Sequence, residues 1–137
     1  MGVILDSSFV IAAERRGDTV GDLIRQVLSA VSDQDAALTA IGLTELVHGI
    51  YRAQTPEIRQ RRQAFVDEIL RDFTTYPYTR ETAVMAGRID GEQRAKGVTI
   101  PFDDLLIGAT ALSLGFPVLT LNPRHFNLIP GLNVILL

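Results

Sequence analysis

The chain has 137 residues, 47% of them hydrophobic and 21% charged, with a formal net charge of −3, no Cys and two His. That length suits one domain with one core. The missing Cys excludes disulfides, thiolate nucleophiles and Cys-ligated zinc, and His48 and His125 are too few for a His-rich metal centre. The mild acidity argues against binding nucleic acid by overall basicity, which leaves only a local arrangement for that purpose.

Val3-Ile4-Leu5 is an apolar run that ends at Asp6, the pattern of a buried parallel strand. Asp6 also interrupts the run before it reaches the length of a secretory signal, so the expected compartment is the cytoplasm. A helix from about Ser8 to Arg15 stops near Gly17. Val20, Leu23, Ile24, Val27, Leu28 and Val31 then recur at helical spacing and mark an amphipathic helix. Ala36 to Ile41 reads as a second strand and Leu43 to about Ala53 as a helix. Pro56 opens another helix, to about Arg71, because a first turn does not need the N–H that Pro lacks. Phe73 to Tyr76 is a third strand, closed by Pro77. Thr79 caps a helix that runs to Lys96 and ends at Gly97. After Ile100-Pro101 come a helix from Phe102 to Leu114, a strand from Val118 to Leu121 and a last strand from Asn133 to Leu136.

The stretch from Leu105 to Pro123 carries no formal charge, and ~20 apolar residues can span a bilayer. Gly108, Thr110, Ser113, Gly115, Pro117, Thr120 and Asn122 interrupt it, so it reads as a buried helix, a turn and a buried strand, with no membrane role. No repeat or linker divides the chain. Strands separated by helices imply an α/β fold with a mostly parallel sheet covered on both faces.

Ligands in such a sheet gather at the carboxyl ends of the strands. Asp6 ends the first strand, Glu45 lies in the helix after the second, Asp104 opens the helix after Ile100-Pro101, and Asn122 ends the Val118–Leu121 strand. Three neighbouring carboxylates repel one another, and a hard divalent cation such as Mg²⁺ or Mn²⁺ removes that penalty. Bound to phosphate oxygens, such an ion polarises water for in-line attack, which is the chemistry of phosphodiester hydrolysis. Each residue also has an ordinary reading. Asp6 and Asn122 suit a helix cap and a turn, Glu45 an outward helix face, and Asp103 and Asp104 the positive end of a helix dipole.

Taken together, Asp6-Ser7-Ser8, Glu45-Leu46-Val47-His48-Gly49, the run from Ile100-Pro101-Phe102-Asp103-Asp104 to Leu112, and Leu119-Thr120-Leu121-Asn122-Pro123-Arg124-His125-Phe126 resemble the PIN-domain ribonucleases. The resemblance is strongest to the VapC toxins of bacterial VapBC toxin–antitoxin pairs. It runs in the same order from about residue 3 to residue 137, and the third motif is its most specific part. It implies one PIN domain over residues 1–137, a three-layer α/β/α architecture, and an endoribonuclease dependent on Mg²⁺ or Mn²⁺. It further implies a cognate VapB-like antitoxin whose C-terminal segment lies across the acidic groove, and a homodimer. By position, Asp6, Glu45 and Asp104 would hold the metal. Asp104 rather than Asp103 precedes the Leu-Leu-Ile-Gly-Ala run, and the two differ by about 100° around the helix. Ser8, Thr120 and Arg124 are candidates for contact with substrate or with the ion's waters.

Two positions depart from the family pattern. Asn122 stands where a fourth Asp is frequent, so a second metal would bind more weakly. Gly42 stands where a Ser or Thr often caps the Glu-bearing helix, which leaves Glu45 to be positioned by other contacts. The bases are twelve Arg and one Lys, and Arg suits bidentate phosphate contacts. Arg52, Arg59, Arg61 and Arg62 form a local excess around the Pro56 helix that reads first as a solvated face and second as a surface for RNA. With three acids assigned to the site, the remaining thirteen match the thirteen bases, so the net charge can be assigned formally to the site. Two rivals remain at this level. One is a PIN-like domain that only binds RNA or a partner. The other is a phosphorylatable receiver domain, which is disfavoured because Lys96, the chain's only Lys, ends a helix instead of following a late strand.

Overall fold

In the computed structural model, which describes residues 1–32 and 34–137, five strands form one parallel sheet. They are β1 (Gly2–Leu5), β2 (Asp35–Thr39), β3 (Thr74–Tyr76), β4 (Val118–Thr120) and β5 (Val134–Leu136), in the order β3-β2-β1-β4-β5. The helices are α1 (Ser7–Arg15), α2 (Val20–Ala30), α3 (Ala40–Tyr51), α4 (Pro56–Asp72), α5 (Arg80–Ala95) and α6 (Phe102–Leu114).

The period-2 alternation of β1 divides the core. Val3 and Leu5 face one side with Phe9 and Val10 of α1, Leu23 of α2, Ile50 of α3 and Ile69 of α4. Ile4 faces the other with Ile89 of α5, Ile107 of α6, Phe126 and Ile129. The result is the expected three-layer α/β/α arrangement. Val3, Ile4 and Leu5 are at most 1% exposed, and full burial of each such side chain stabilises the fold by about 1.5–3 kcal/mol. In α6, Gly108 lets the helix approach the chain after β4 closely: a Cβ there would collide with Ile129. Gly115, with φ +71°, closes that helix in the left-handed conformation and turns the chain into β4. The uncharged stretch is thus a buried helix, a turn and a strand, and no helix among the described residues is long and apolar enough to cross a membrane.

The sheet order also decides between the rival folds. Receiver domains have the order 2-1-3-4-5, whereas here β1 lies between β2 and β4. The direction of winding reverses between β1 and β4, so the carboxyl ends of these two strands flank the crevice where α/β proteins bind ligands.

The largest departure from the sequence reading lies in α3, which begins at Ala40 and takes over the end of the expected second strand. Thr39 is the N-cap, and its Oγ accepts the Gly42 N–H at 2.9 Å. The cap expected to be lacking at Gly42 is therefore supplied three residues earlier. Thr39→Ala is expected to destabilise the protein by about 1 kcal/mol, read as a lower urea midpoint at unchanged m-value. The arginines around α4 also make contacts the sequence does not show. Arg61 and Arg62 approach the buried carboxylate of Glu14 in α1 at 3.4 and 3.6 Å, and Arg59 lies over the Tyr51 ring at 5.6 Å. Arg59 and Arg61 nevertheless remain exposed, as a solvated face requires, and only Arg62 is drawn partly into the protein.

Candidate active site

Asp6 leaves β1 with its backbone N–H donating to the Leu119 carbonyl at 3.0 Å, which extends the β1–β4 pairing by one residue and fixes Asp6 at the crevice. It occupies the N-cap position of α1, yet its side chain makes no cap hydrogen bond. Its Oδ2 accepts instead from Ser8 Oγ at 2.5 Å and Thr120 Oγ1 at 2.9 Å. The ordinary reading of Asp6 as a capping residue therefore fails. Both donors use the same oxygen, which leaves Oδ1 to accept from a ligand.

Glu45 lies in the second turn of α3, next to the buried Leu46 that anchors the helix. Ser7 Oγ, from the first residue of α1, donates to Glu45 Oε1 at 2.7 Å. Asp104 lies in the first turn of α6, a helix without a side-chain cap. Its Oδ2 is 2.7 Å from His125 Nδ1. The next residue, Phe126, is buried in the core.

The carboxylates sense one another. Burial pushes Glu45 above the usual carboxylate range, opposed by the Ser7 hydroxyl and reinforced by the charges of Asp103, Asp6 and Asp104. Burial also raises Asp104, opposed by the hydrogen bond from His125 and reinforced by Asp6 and Asp103. No Arg or Lys forms an ion pair with these four acids among the described residues. The result is a concentration of negative charge offset only by hydroxyls and one imidazole.

Among the described residues no three acidic or His side chains converge into a finished metal cage; Asp6 and Glu45 each accept from neighbouring hydroxyls, and Asp104 pairs with an imidazole. The donor set nevertheless fits a hard divalent cation: carboxylate oxygens on three elements, two of them held above their ordinary pKa partly by mutual repulsion. The ions expected from sequence, Mg²⁺ or Mn²⁺, have that preference.

Not every candidate joins the cluster. Asn122 is exposed just beyond β4, and its backbone N–H donates to Thr120 Oγ1 at 3.0 Å. Arg124 is exposed and pairs with no acid among the described residues. Thr120 departs from the expectation of a substrate contact. It is 0% exposed, and its hydroxyl donates to Asp6 while accepting from Asn122, so it orients Asp6. Ser8 is exposed and combines a bond to Asp6 with access to solvent.

Three contributors carried no assigned role in the sequence reading. Ser7 and Ser8 are adjacent hydroxyls, and only the packing of α1 against α3 shows that Ser7 serves Glu45. His125 follows Asn122-Pro123-Arg124 in the chain, but its partner Asp104 lies in another helix. Asp103, one residue before the expected ligand Asp104, contributes the largest charge effect on Glu45.

The PIN domain family model matches residues 3–132. Ribonuclease VapC of Rickettsia bellii is 35% identical over 135 residues, covering 98% of this chain and 96% of that protein. The crystal structure of VapBC2 from Rickettsia felis bound to a promoter DNA fragment matches with a TM-score of 0.85 at 21% identity, over 100% of this chain and 99% of that one. VapBC-5 from Mycobacterium tuberculosis, of the VapBC family of toxin–antitoxin systems, matches with a TM-score of 0.78 at 26% identity over the whole of both chains. With the motifs, the sheet order and these matches in agreement, the chain belongs to the PIN-domain family and, within it, to the VapC group.

Proposed function

We propose that the protein is the ribonuclease toxin of a VapBC-type pair, an endonuclease that hydrolyses RNA phosphodiester bonds. The single observation that carries this reading is the grouping of Asp6, Glu45 and Asp104 near the β1–β4 crevice, where partial burial and neighbouring acids raise the pKa of Glu45 and Asp104 and no Arg or Lys among the described residues pairs with them. In this reading the three residues hold Mg²⁺ or Mn²⁺, which when bound supplies positive charge to the phosphate and lowers the pKa of water. Ser8 and Thr120 fix the Asp6 carboxylate, Ser7 fixes Glu45 and His125 fixes Asp104, so the acids are oriented before substrate arrives. Asn122 offers an exposed amide just beyond β4, and Arg124 a guanidinium for a phosphate near the scissile bond.

The relatives extend the proposal to partners. VapBC structures pair such chains with an antitoxin, and we assign this chain a VapB-like antitoxin, a homodimeric state, action as one domain over residues 1–137 and a place in the cytoplasm. Attack by water, in place of the ribose 2′-hydroxyl, leaves a 5′-phosphate on one product and a 3′-hydroxyl on the other. Ligation-dependent sequencing of RNA ends after incubation with the purified protein tests this: 5′-phosphate ends are expected. Ends bearing 5′-hydroxyl and 2′,3′-cyclic phosphate would contradict the water mechanism, and intact RNA would support the reading as a binding domain.

A further inference from the structure

A groove of about 730 Å³ opens beside Glu45. Glu45 and Asp103 contribute acids to its lining, and Arg15, His48, Arg52 and Arg62 contribute bases from α1, α3 and α4. Arg62 is committed to the protein, since its Nη1 donates to the Gly49 carbonyl at 2.8 Å and its Nε faces Glu14. Arg15 and Arg52 are different. Both are exposed, and neither takes part in an ion pair among the described residues. Arg15 lies in the last turn of α1, and Arg52 is the C-cap of α3. A helix dipole accounts for a cation at either place, worth about 0.3–1 kcal/mol. It does not account for two helix ends delivering cations to one groove that also holds an acid of the candidate active site.

We infer that this groove is a phosphate track, in which Arg15 and Arg52 bind successive backbone phosphates on one side of the cut and thereby set how a single RNA strand enters. The inference rests on the reading of the site as a ribonuclease. A polyanion explains the division of charge. The phosphate at the acids is received with a cation, and the phosphates beyond it are received by guanidinium groups. An acidic peptide would meet the same arginines but would have no group to place at Glu45 and Asp103. Contacts of this kind are indifferent to sequence and strongly salt-dependent, each adding about 0.7 to the slope of log affinity against log salt for a single strand.

The test is fluorescence anisotropy with a short single-stranded RNA across a salt series in EDTA, together with steady-state cleavage in Mg²⁺. Arg15→Gln/Arg52→Gln is expected to reduce the salt slope by about 1.4 and to raise KM more than it lowers kcat. Arg15→Lys/Arg52→Lys, which keeps both charges, is expected to restore most of the slope. Arg16→Gln/Arg94→Gln removes the same net charge from side chains paired with Asp18 and Asp90 outside the groove, and is expected to leave the slope unchanged. An unchanged slope in Arg15→Gln/Arg52→Gln, an equal loss in the Arg16/Arg94 control, or loss of affinity for polyglutamate without loss for RNA would overturn the inference. Wild-type protein that binds RNA but does not cleave it would sink the ribonuclease reading, while the slope would still decide the track. Absence of RNA binding by the wild type would overturn both.

Discussion

Asp104→Asn is expected to lower RNA cleavage at least ~100-fold and, in EDTA at neutral pH, to leave the protein more stable than the wild type. The two effects share one cause. Burial and the charges of Asp6 and Asp103 hold the Asp104 carboxyl above the ordinary value of 3.8, outweighing the hydrogen bond from His125. A carboxyl whose folded pKa is raised favours the folded state below its ordinary pKa, and that contribution is lost as pH rises through the folded pKa. At neutral pH the charge is therefore a cost that the neutral amide avoids. The gain in Tm of Asp104→Asn over wild type should be present at pH 7 and should vanish as pH falls through the elevated pKa toward 3.8. Glu45→Gln should behave alike around its ordinary value of 4.5. Mn²⁺ should reverse the ranking, because a ligand that binds the folded state stabilises it and should raise the Tm of the wild type more than that of either variant. Undiminished cleavage by Asp104→Asn, or a Tm below that of wild type at pH 7 in EDTA, would contradict this account.

Outside the hydrophobic core, a large loss of stability is expected on truncating Arg62. Its Nε approaches Glu14 Oε2 at 3.6 Å, and its Nη1 donates to the Gly49 carbonyl at 2.8 Å, so one side chain ties α4 to α1 and α3. The Glu14 side chain is 8% exposed, and its second partner, Arg61, is itself 61% exposed. Arg62→Ala leaves a buried carboxylate with one solvated partner and should cost about 3 kcal/mol, read as a fall in urea midpoint at constant m-value. Glu14→Gln/Arg62→Ala removes the stranded charge and should recover a substantial part of that loss, giving a coupling energy well above 0.5 kcal/mol in a double-mutant cycle. Additive effects of the two single substitutions would show that the pair is not coupled.

The parts of the fold legible in the sequence were those written in short-range chemistry. The helix Phe102–Leu114 follows a Pro and ends at a Gly with positive φ, and its limits agree with the reading. The Pro56 and Thr79 starts likewise carried local signals. The start of α3 did not. Ala36 to Ile41 is apolar enough to read as strand throughout, and the turn at Thr39 goes with the buried cap bond to Gly42. In the site, the candidate acids were legible because Asp6 directly follows an apolar strand and Glu45 and Asp104 sit in largely apolar helices where a carboxylate stands out. Their partners were not, because Ser7–Glu45, Thr120–Asp6 and His125–Asp104 are separated by 38, 114 and 21 residues. The same limit applied to the arginines: a charge count cannot show that Arg62 is drawn to Glu14 while Arg15 and Arg52 line a groove beside Glu45.

The central claim is that Asp6, Glu45 and Asp104 form the metal-holding centre of a ribonuclease. The most direct test is the initial rate of cleavage of a single-stranded RNA by the purified protein in Mn²⁺ and in EDTA, with Asp6→Asn run in parallel. The account predicts cleavage by wild type in Mn²⁺, none in EDTA, recovery when Mn²⁺ is restored, and a loss of at least ~100-fold in Asp6→Asn. Equal rates in Mn²⁺ and EDTA, or equal rates for wild type and Asp6→Asn, would contradict it.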